Sequence, residues 1–346
     1  MDTRRPHPRP TMVDVAKIAG VSFKTVSRVV NGVATVDPVL ADRVREAAAE
    51  IGYRPNQMAA ALKSGSTTAM IGLVIKDVSN EFYAAITQGT SEVATERGVQ
   101  LITACSPEEE VSEDAELATI FELCRRRADG LIVVPHSPDQ SSLAREVAMG
   151  TPMVFVDRAP RGLAADSVVL DNARGAALAI HHLADQGHER IGMVFDSLAI
   201  TAMQQRLDGA RQQLRQLSLT TEHGLCRTGV HGPEASARAV AELLDRPDPP
   251  SAIFCGNNRA TIGAVEEIWN RGADVAIAGF DDFRLAHLMP LPLTLVSYDA
   301  TALGREAARL LFARIDGDTG PPRDLVLPVT LRQSGIRPLP PSQEER

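Results

Sequence analysis

The sequence predicts an α/β protein: a small helix-turn-helix head of three helices, followed by a larger two-lobed body of doubly wound parallel sheets. Three observations predict it. Charge is segregated, because residues 1–65 hold ten Lys/Arg against six Asp/Glu, a head of +4 on a 346-residue chain of net charge −8, leaving −12 for the rest. Capping and turn residues inside the head stand at helix-turn-helix spacings. From Ala69 onward, short apolar runs alternate with helix-length amphipathic stretches.

Bulk composition narrows the class. With 44% hydrophobic and 23% charged residues the chain is globular, and at this length it exceeds one ordinary core. Its longest apolar runs, such as 130–135 and 153–156, are strand-sized, which argues against a membrane partner. The opening MDTRRPHPRP is basic and proline-rich with no apolar stretch behind it, so residues 1–10 read as a flexible arm rather than a signal peptide. Cys105, Cys124, Cys226 and Cys255 form no CxxC, which points to reduced thiols and a cytoplasmic protein. His181, His182 and His188 lack metal-ligand spacing, and neither a metal nor a cofactor is predicted. A basic head on an acidic body implies a polyanion-binding module joined to one that does not bind polyanions.

The head supplies its own punctuation. Thr11 and Asp14 form a capping box that opens a helix over 12–19, and Gly20 takes the turn. A second helix opens at Ser22. Ala16, Gly20 and Val26, at offsets 0, 4 and 10, let two helices approach and pin together, with Val15, Ala19, Val21 and Val29 filling the remaining inward positions. Asp37-Pro38 caps a third helix that runs to Ile51 and stops at Gly52.

TMVDVAKIAGVSFKTVSRVVNG followed by YRPNQMAAALKSG closely resembles the DNA-binding head of the LacI/GalR (lactose-repressor-like) family over residues 11–65. The resemblance implies a helix-turn-helix domain over 11–55 and a hinge helix with linker over 56–68. It places Phe23, Lys24 and Arg28 at base-reading positions of a helix that enters the major groove. Lys24 and Arg28 can donate to guanine O6/N7, and Phe23 offers an apolar face to a thymine methyl. Ser22, Thr25, Ser27 and Asn31 are short polar groups suited to phosphate contacts. In the hinge, Asn56 caps the helix, and Leu62, with Ala59 and Lys63 beside it, takes the position that wedges into a central minor-groove base step and bends the duplex.

In the body, apolar runs at 69–75, 99–104, 130–135, 152–157, 190–195, 251–255 and 274–280 predict strands, and amphipathic stretches near 81–97, 112–127, 173–186, 202–217, 233–245 and 259–271 predict helices. Ligands of such sheets bind beyond the carboxyl ends of the strands. NEFYAAITQG, VDR, DNARGA, GHERIG, QRLDGA, GNN and GFDD extend the same family resemblance through the body to about Gly335. It implies a periplasmic-binding-protein-like fold over 69–335 for effector binding and dimerisation, with 336–346 as a tail. The resemblance sets Phe82, Tyr83, Asp157, Arg206, His231, Asn257 and Asp281 around an effector cleft. Carboxylates, an amide and a guanidinium suit a sugar or sugar derivative, whose hydroxyls they can bridge. Structural alternatives exist: Phe82 and Tyr83 opening a helix into the core, and Arg206 with Asp281 as an internal ion pair.

Four features depart from the family pattern. Asn258 stands where relatives usually have Asp, and His231 where they often have a stacking aromatic. Tyr298-Asp299 replaces the usual Gln-Pro. RGADVAIAGF is shortened, which predicts an irregular strand and loop before GFDD.

An enzyme is disfavoured because the chain has no GxSxG elbow, Walker A loop or GxGxxG after a strand. A stand-alone sugar-binding protein would need an export signal and would lack the head. The sequence therefore predicts a transcription regulator that binds double-stranded DNA at a palindromic operator, by default a repressor. A ligand-independent or activating regulator with a silent cleft is the alternative. The ending RPLPPSQEER carries no leucine heptad, so a homodimer is expected rather than a coiled-coil tetramer.

Overall fold

The computed structural model describes residues 10–30, 35–53, 68–105 and 113–335. The chain divides into two compact units, Met1–Thr68 and Ala69–Arg346.

In the first unit, α1 (Met12–Ala19), α2 (Phe23–Val30) and α3 (Pro38–Glu50) form around one small core. Thr11 N donates to Asp14 Oδ2 at 2.8 Å and Thr11 Oγ1 accepts from Asp14 N at 3.4 Å, completing the capping box. Gly20 adopts φ +63 and returns its N–H to Ala16 O, which ends α1 and turns the chain into α2. Val15 and Val26 are fully buried and meet Ala16, Ala19, Val44 and Ala47, with Val21 and Val29 packed at the edge. Asp37 caps α3 through Val39 N and Leu40 N, with Pro38 in the first turn.

The second unit contains two six-stranded sheets. The first lobe is built from β1 (Met70–Ile75), α4 (Glu81–Glu96), β2 (Gln100–Cys105), α5 (Glu113–Arg125), β3 (Leu131–Val133), α6 (Ala144–Ala148), β4 (Met153–Val156) and β5 (Asp166–Leu170). The second lobe continues with α7 (Asn172–Asp185), β6 (Ile191–Val194), α8 (Thr201–Gln216), β7 (Cys226–Arg227), α9 (Gly232–Leu244), β8 (Ala252–Cys255), α10 (Asn258–Arg271), β9 (Ala276–Phe280) and β10 (Leu293–Ser297). The chain then returns to the first lobe as α11 (Ala300–Ile315) and β11 (Asp324–Leu327), and ends in the second as β12 (Thr330–Ser334). Strand order is β11-β5-β4-β3-β1-β2 in one sheet and β12-β10-β9-β8-β6-β7 in the other. All pairings are parallel except β10 with β12. Every residue of β1, β3 and β4 is buried, as strands covered by helices on both faces require. Three crossings join the lobes: at Asp171, at Tyr298-Asp299, and between β11 and β12.

The seven strands and six helices anticipated between Ala69 and Phe280 are all present. The structure adds β5, β7, β10, β11, β12, α6 and α11. β5 and β10 follow β4 and β9 without an intervening α-helix, which breaks the alternation that marked the others. β11 and β12 are sheet edges whose residues stay largely exposed, so no apolar run announces them. The irregularity expected before GFDD is absent. β9 is a regular strand, paired at four positions with β8 and at four with β10. Gly272, at φ +62, closes α10 tightly enough for residues 273–275 to make the whole connection.

The returning helix α11 is seated by two glycines. A Cβ on Gly304 would lie 2.1 Å from Ile86 O, and one on Gly89 would lie 2.0 Å from Thr301 O. These contacts are backbone against helix, and no rotamer change relieves them. Gly304→Ala is therefore expected to destabilise the body by about 1–3 kcal/mol in urea unfolding; an unchanged midpoint would show that α4 and α11 can separate freely.

Candidate ligand cleft and nucleic-acid interface

In α2 the buried Val26 fixes the helix's rotation, leaving Phe23 (51% exposed), Lys24 and Arg28 on the outer side with Ser27 half-buried beside them. Ser22 is committed to capping: its Oγ accepts from Thr25 N at 3.2 Å and lies 2.9 Å from Thr25 Oγ1. The Arg28 guanidinium donates to Thr35 Oγ1. Asn31, Asn56, Ala59, Leu62 and Lys63 lie outside the described residues.

In the second unit the seven residues anticipated for the cleft all line one cavity of about 450 Å³, at the carboxyl ends of both sheets. Phe82 and Tyr83 open α4 after Asn80, which caps the helix through Phe82 N. Tyr83 joins the core, and burial pushes its hydroxyl up to about 12. Phe82 meets Tyr83 and Tyr298 edge-on, at centroid distances of 5.3 and 6.2 Å. The structural alternative for this pair therefore holds together with cleft lining.

Asp157 and Asp281 occupy matching places, each directly after a strand, β4 and β9, and each in the left-handed region at φ +71 and +72. Held non-glycine backbone of this kind concentrates at functional sites. Burial raises the Asp157 carboxyl above its ordinary range against the opposing charges of Arg158 and Arg206.

Arg206, 2% exposed, organises the second-lobe wall. Its Nε donates to Asn172 Oδ1 at 2.8 Å, and its Nη1 donates to Gly256 O at 2.7 Å and reaches Asp281 Oδ2 at 3.3 Å. Its guanidinium carbon sits 3.6 Å from the Phe280 ring centroid. The internal ion pair is thus real, and Arg206 lines the cavity through it. Asn257 caps α10 through Ala260 N at 2.8 Å. His231 stands at the mouth, 68% exposed, with Nδ1 2.6 Å from Asp196 Oδ1.

Sequence reasoning did not assign several residues in or beside this cavity. Tyr298 donates to Asp281 Oδ1 at 2.5 Å, and Asp299 caps α11, so the unusual pair at this crossing is built into both site and fold. Arg158 follows Asp157 and donates to Pro135 O. Glu116 accepts from His136 N and Ser137 N at 2.7 and 2.8 Å. Arg158 had a local signal as part of VDR and Tyr298-Asp299 as a replacement of Gln-Pro, whereas Glu116 had none. Contacts among the described residues that join the lobes beside the cavity include Arg259 with Asp77, Asn258 Nδ2 to Asn80 Oδ1 at 3.3 Å, and Arg284 N to Glu81 Oε2 at 2.6 Å. Asn258, the departure from Asp, is therefore a neutral donor across the cleft edge.

Comparison with known proteins agrees with this architecture. Residues 11–56 match the family "bacterial regulatory proteins, lacI family", and residues 180–334 match a "periplasmic binding protein-like domain". The chain is 31% identical over 332 residues to the ribose operon repressor of Escherichia coli K12, covering 94% of this chain and 99% of that protein. The structure of the lac repressor dimer bound to operator and the anti-inducer ONPF superposes with TM-score 0.82 at 25% identity, covering 94% and 99% of the two chains. A complex of the transcriptional regulator CelR with cellobiose superposes with TM-score 0.69 at 31% identity, covering 94% and 98%.

Proposed function

The chain belongs to the LacI family of bacterial regulatory proteins, and we propose that it acts as a homodimeric repressor, reading a palindromic operator with α2 and switched by a sugar-like molecule held between its lobes. One arrangement supports the switch above all others. Residues from two separate sheets converge on one cavity, with Phe82, Tyr83 and Asp157 on one side and Arg206, His231, Asn257 and Asp281 on the other. A ligand that bonds to both walls binds better when the lobes are close, so it shifts the population of lobe arrangements. Among the described residues three short crossings connect the lobes, which lets them move as bodies about that seam. The relatives sharpen the ligand class, since one is named for ribose and one was solved with cellobiose.

The test begins with selection of duplexes from a random pool by the full-length protein, followed by anisotropy on the selected operator in a sugar panel. A selected two-fold sequence whose affinity changes with one sugar is the expected result; no selected sequence, or one indifferent to every sugar that binds the protein, would sink the proposal. Two variants test the reading head. Lys24→Ala is expected to relax specificity at one base position per half-site, costing about 1–3 kcal/mol there, whereas a uniform loss across sequences would make Lys24 a phosphate contact. Leu62→Ala is expected to weaken operator binding by about 1–3 kcal/mol and to reduce DNA bending; unchanged bending would remove Leu62 from the wedge role.

A further inference from the structure

Three adjacent parallel strands of the first lobe, β1, β3 and β4, deliver Lys76, His136 and Arg158 to the same wall of the cavity. Lys76 and Arg158 bring donor capacity that the protein leaves unused, and His136 brings a neutral ring beside them. Among the described residues Lys76 makes no hydrogen bond and no ion pair, although it is half-buried. The His136 Nε2 is buried without a hydrogen-bond partner. The Arg158 Nε is buried too, 3.3 Å from Asp157 Oδ2 but aligned with no acceptor. Of the nearby carboxylates, Asp77 is engaged by Arg259 and Ser79 and Glu116 by the His136 and Ser137 amides, while Asp157 faces Arg158 as a carboxyl that burial raises above its ordinary range. Burial, with the charges of Arg158 and Lys76 added, pushes the His136 imidazole down to about 3. A place where two cations help to expel a proton is a place that draws an anion.

We propose that this wall is an anion subsite and that the effector is an acidic sugar, bearing a carboxylate or a phosphate. This rests on the sugar-controlled regulator described above and narrows its ligand. The anionic group sits between Lys76 and Arg158, with the His136 ring beside it, and the hydroxylated remainder extends toward Asp281 and Asn257. A neutral sugar would leave the Lys76 ammonium and the buried Arg158 Nε–H without an aligned acceptor, and a site built for a charged group rejects analogues that lack it.

Thermal unfolding of the full-length protein with matched sets tests the assignment: gluconate, glucose 6-phosphate and glucose; ribonate, ribose 5-phosphate and ribose; galacturonate, galactose 6-phosphate and galactose. An acid is expected to raise the unfolding temperature where its neutral parent does not, and the carboxylate and phosphate members identify the source of the charge. Lys76→Gln is expected to weaken that acid about tenfold, and Lys76→Arg to restore it. A neutral parent that stabilises as strongly as its acid, or an acid indifferent to Lys76→Gln, overturns the subsite while leaving the sugar-controlled regulator intact. A second measurement is independent of sugar stereochemistry: inorganic phosphate at constant ionic strength, read at the His136 imidazole by NMR. A saturable shift that Lys76→Gln removes supports the subsite, and beside a silent panel it retains the anion while discarding the sugars tested. A silent panel with no saturable shift overturns the subsite and the sugar ligand together.

Discussion

Arg206→Ala is expected to lower stability by about 3–5 kcal/mol and to abolish the response to ligand. The guanidinium is nearly inaccessible and serves four partners at once: Asn172 Oδ1, Gly256 O, Asp281 Oδ2 and the Phe280 ring. Truncation leaves the Asp281 carboxylate, 9% exposed, with Tyr298 donating at 2.5 Å and, among the described residues, no other cation paired with it. Gly256 O loses its donor as well. Removing one partner of a buried pair costs more than the pair contributes net, because the other charge stays behind. Urea unfolding measures the loss. Adding Asp281→Asn should recover part of it, since an amide does not require a cation; a double variant no more stable than Arg206→Ala would mean that packing over Phe280, and not charge, is what Arg206 supplies.

The candidate cleft residues came from short motifs that resemble the LacI/GalR family, and the structure shows why such motifs carry them. Asp157 follows the apolar run of β4, Asp281 follows that of β9, and Asn257 precedes α10 as a cap, so each sits where a strand hands over to a loop or helix. The head was legible for the same reason: Thr11, Asp14, Gly20 and Asp37 act within three or four residues of themselves. What escaped depends on long-range geometry. Tyr298 reaches Asp281 only because the chain crosses back between lobes there, and nothing in Leu-Val-Ser-Tyr-Asp announces a hydroxyl aimed at a carboxylate seventeen positions earlier. His136 gains its character from Lys76 and Arg158, which meet it through strand order rather than sequence spacing.

The fold divides along the same line. Runs buried on both faces gave clear strands, whereas β11 and β12 are exposed edges whose register comes from neighbours distant in sequence. The shortened stretch before GFDD predicts an irregular strand and loop that the structure does not show, because Gly272 in its left-handed conformation absorbs the short connection.

Arg314→Ala is expected to cost about 3 kcal/mol at neutral pH and to loosen the last return of the chain to the first lobe. Arg314, at the end of α11, donates to both oxygens of Asp166 at 2.8 Å and to the carbonyls of Asp318, Gly320 and Pro321. Asp166 is inaccessible at the start of β5 and also accepts from Arg323 N at 2.7 Å. The turn from α11 into β11 is thus gathered on one guanidinium and one carboxylate. Burial alone would raise the Asp166 carboxyl, but Arg314, the Arg323 amide and the two positive charges hold it below its ordinary value of 3.8. A depressed folded value means that this contribution is complete above the unfolded carboxylate range and is lost as pH falls through the folded value. The gap between wild type and Arg314→Ala should therefore be widest near neutrality and should narrow below about pH 4, as Asp166 takes up a proton in both proteins. Hydrogen exchange supplies the spatial check, because β11 is an edge held on one side by β5. Its amides should lose protection in the variant before those of β1 and β3; equal protection in β11, together with a gap that does not change with pH, would show that the strand is held by its ladder with β5 and not by this ion pair.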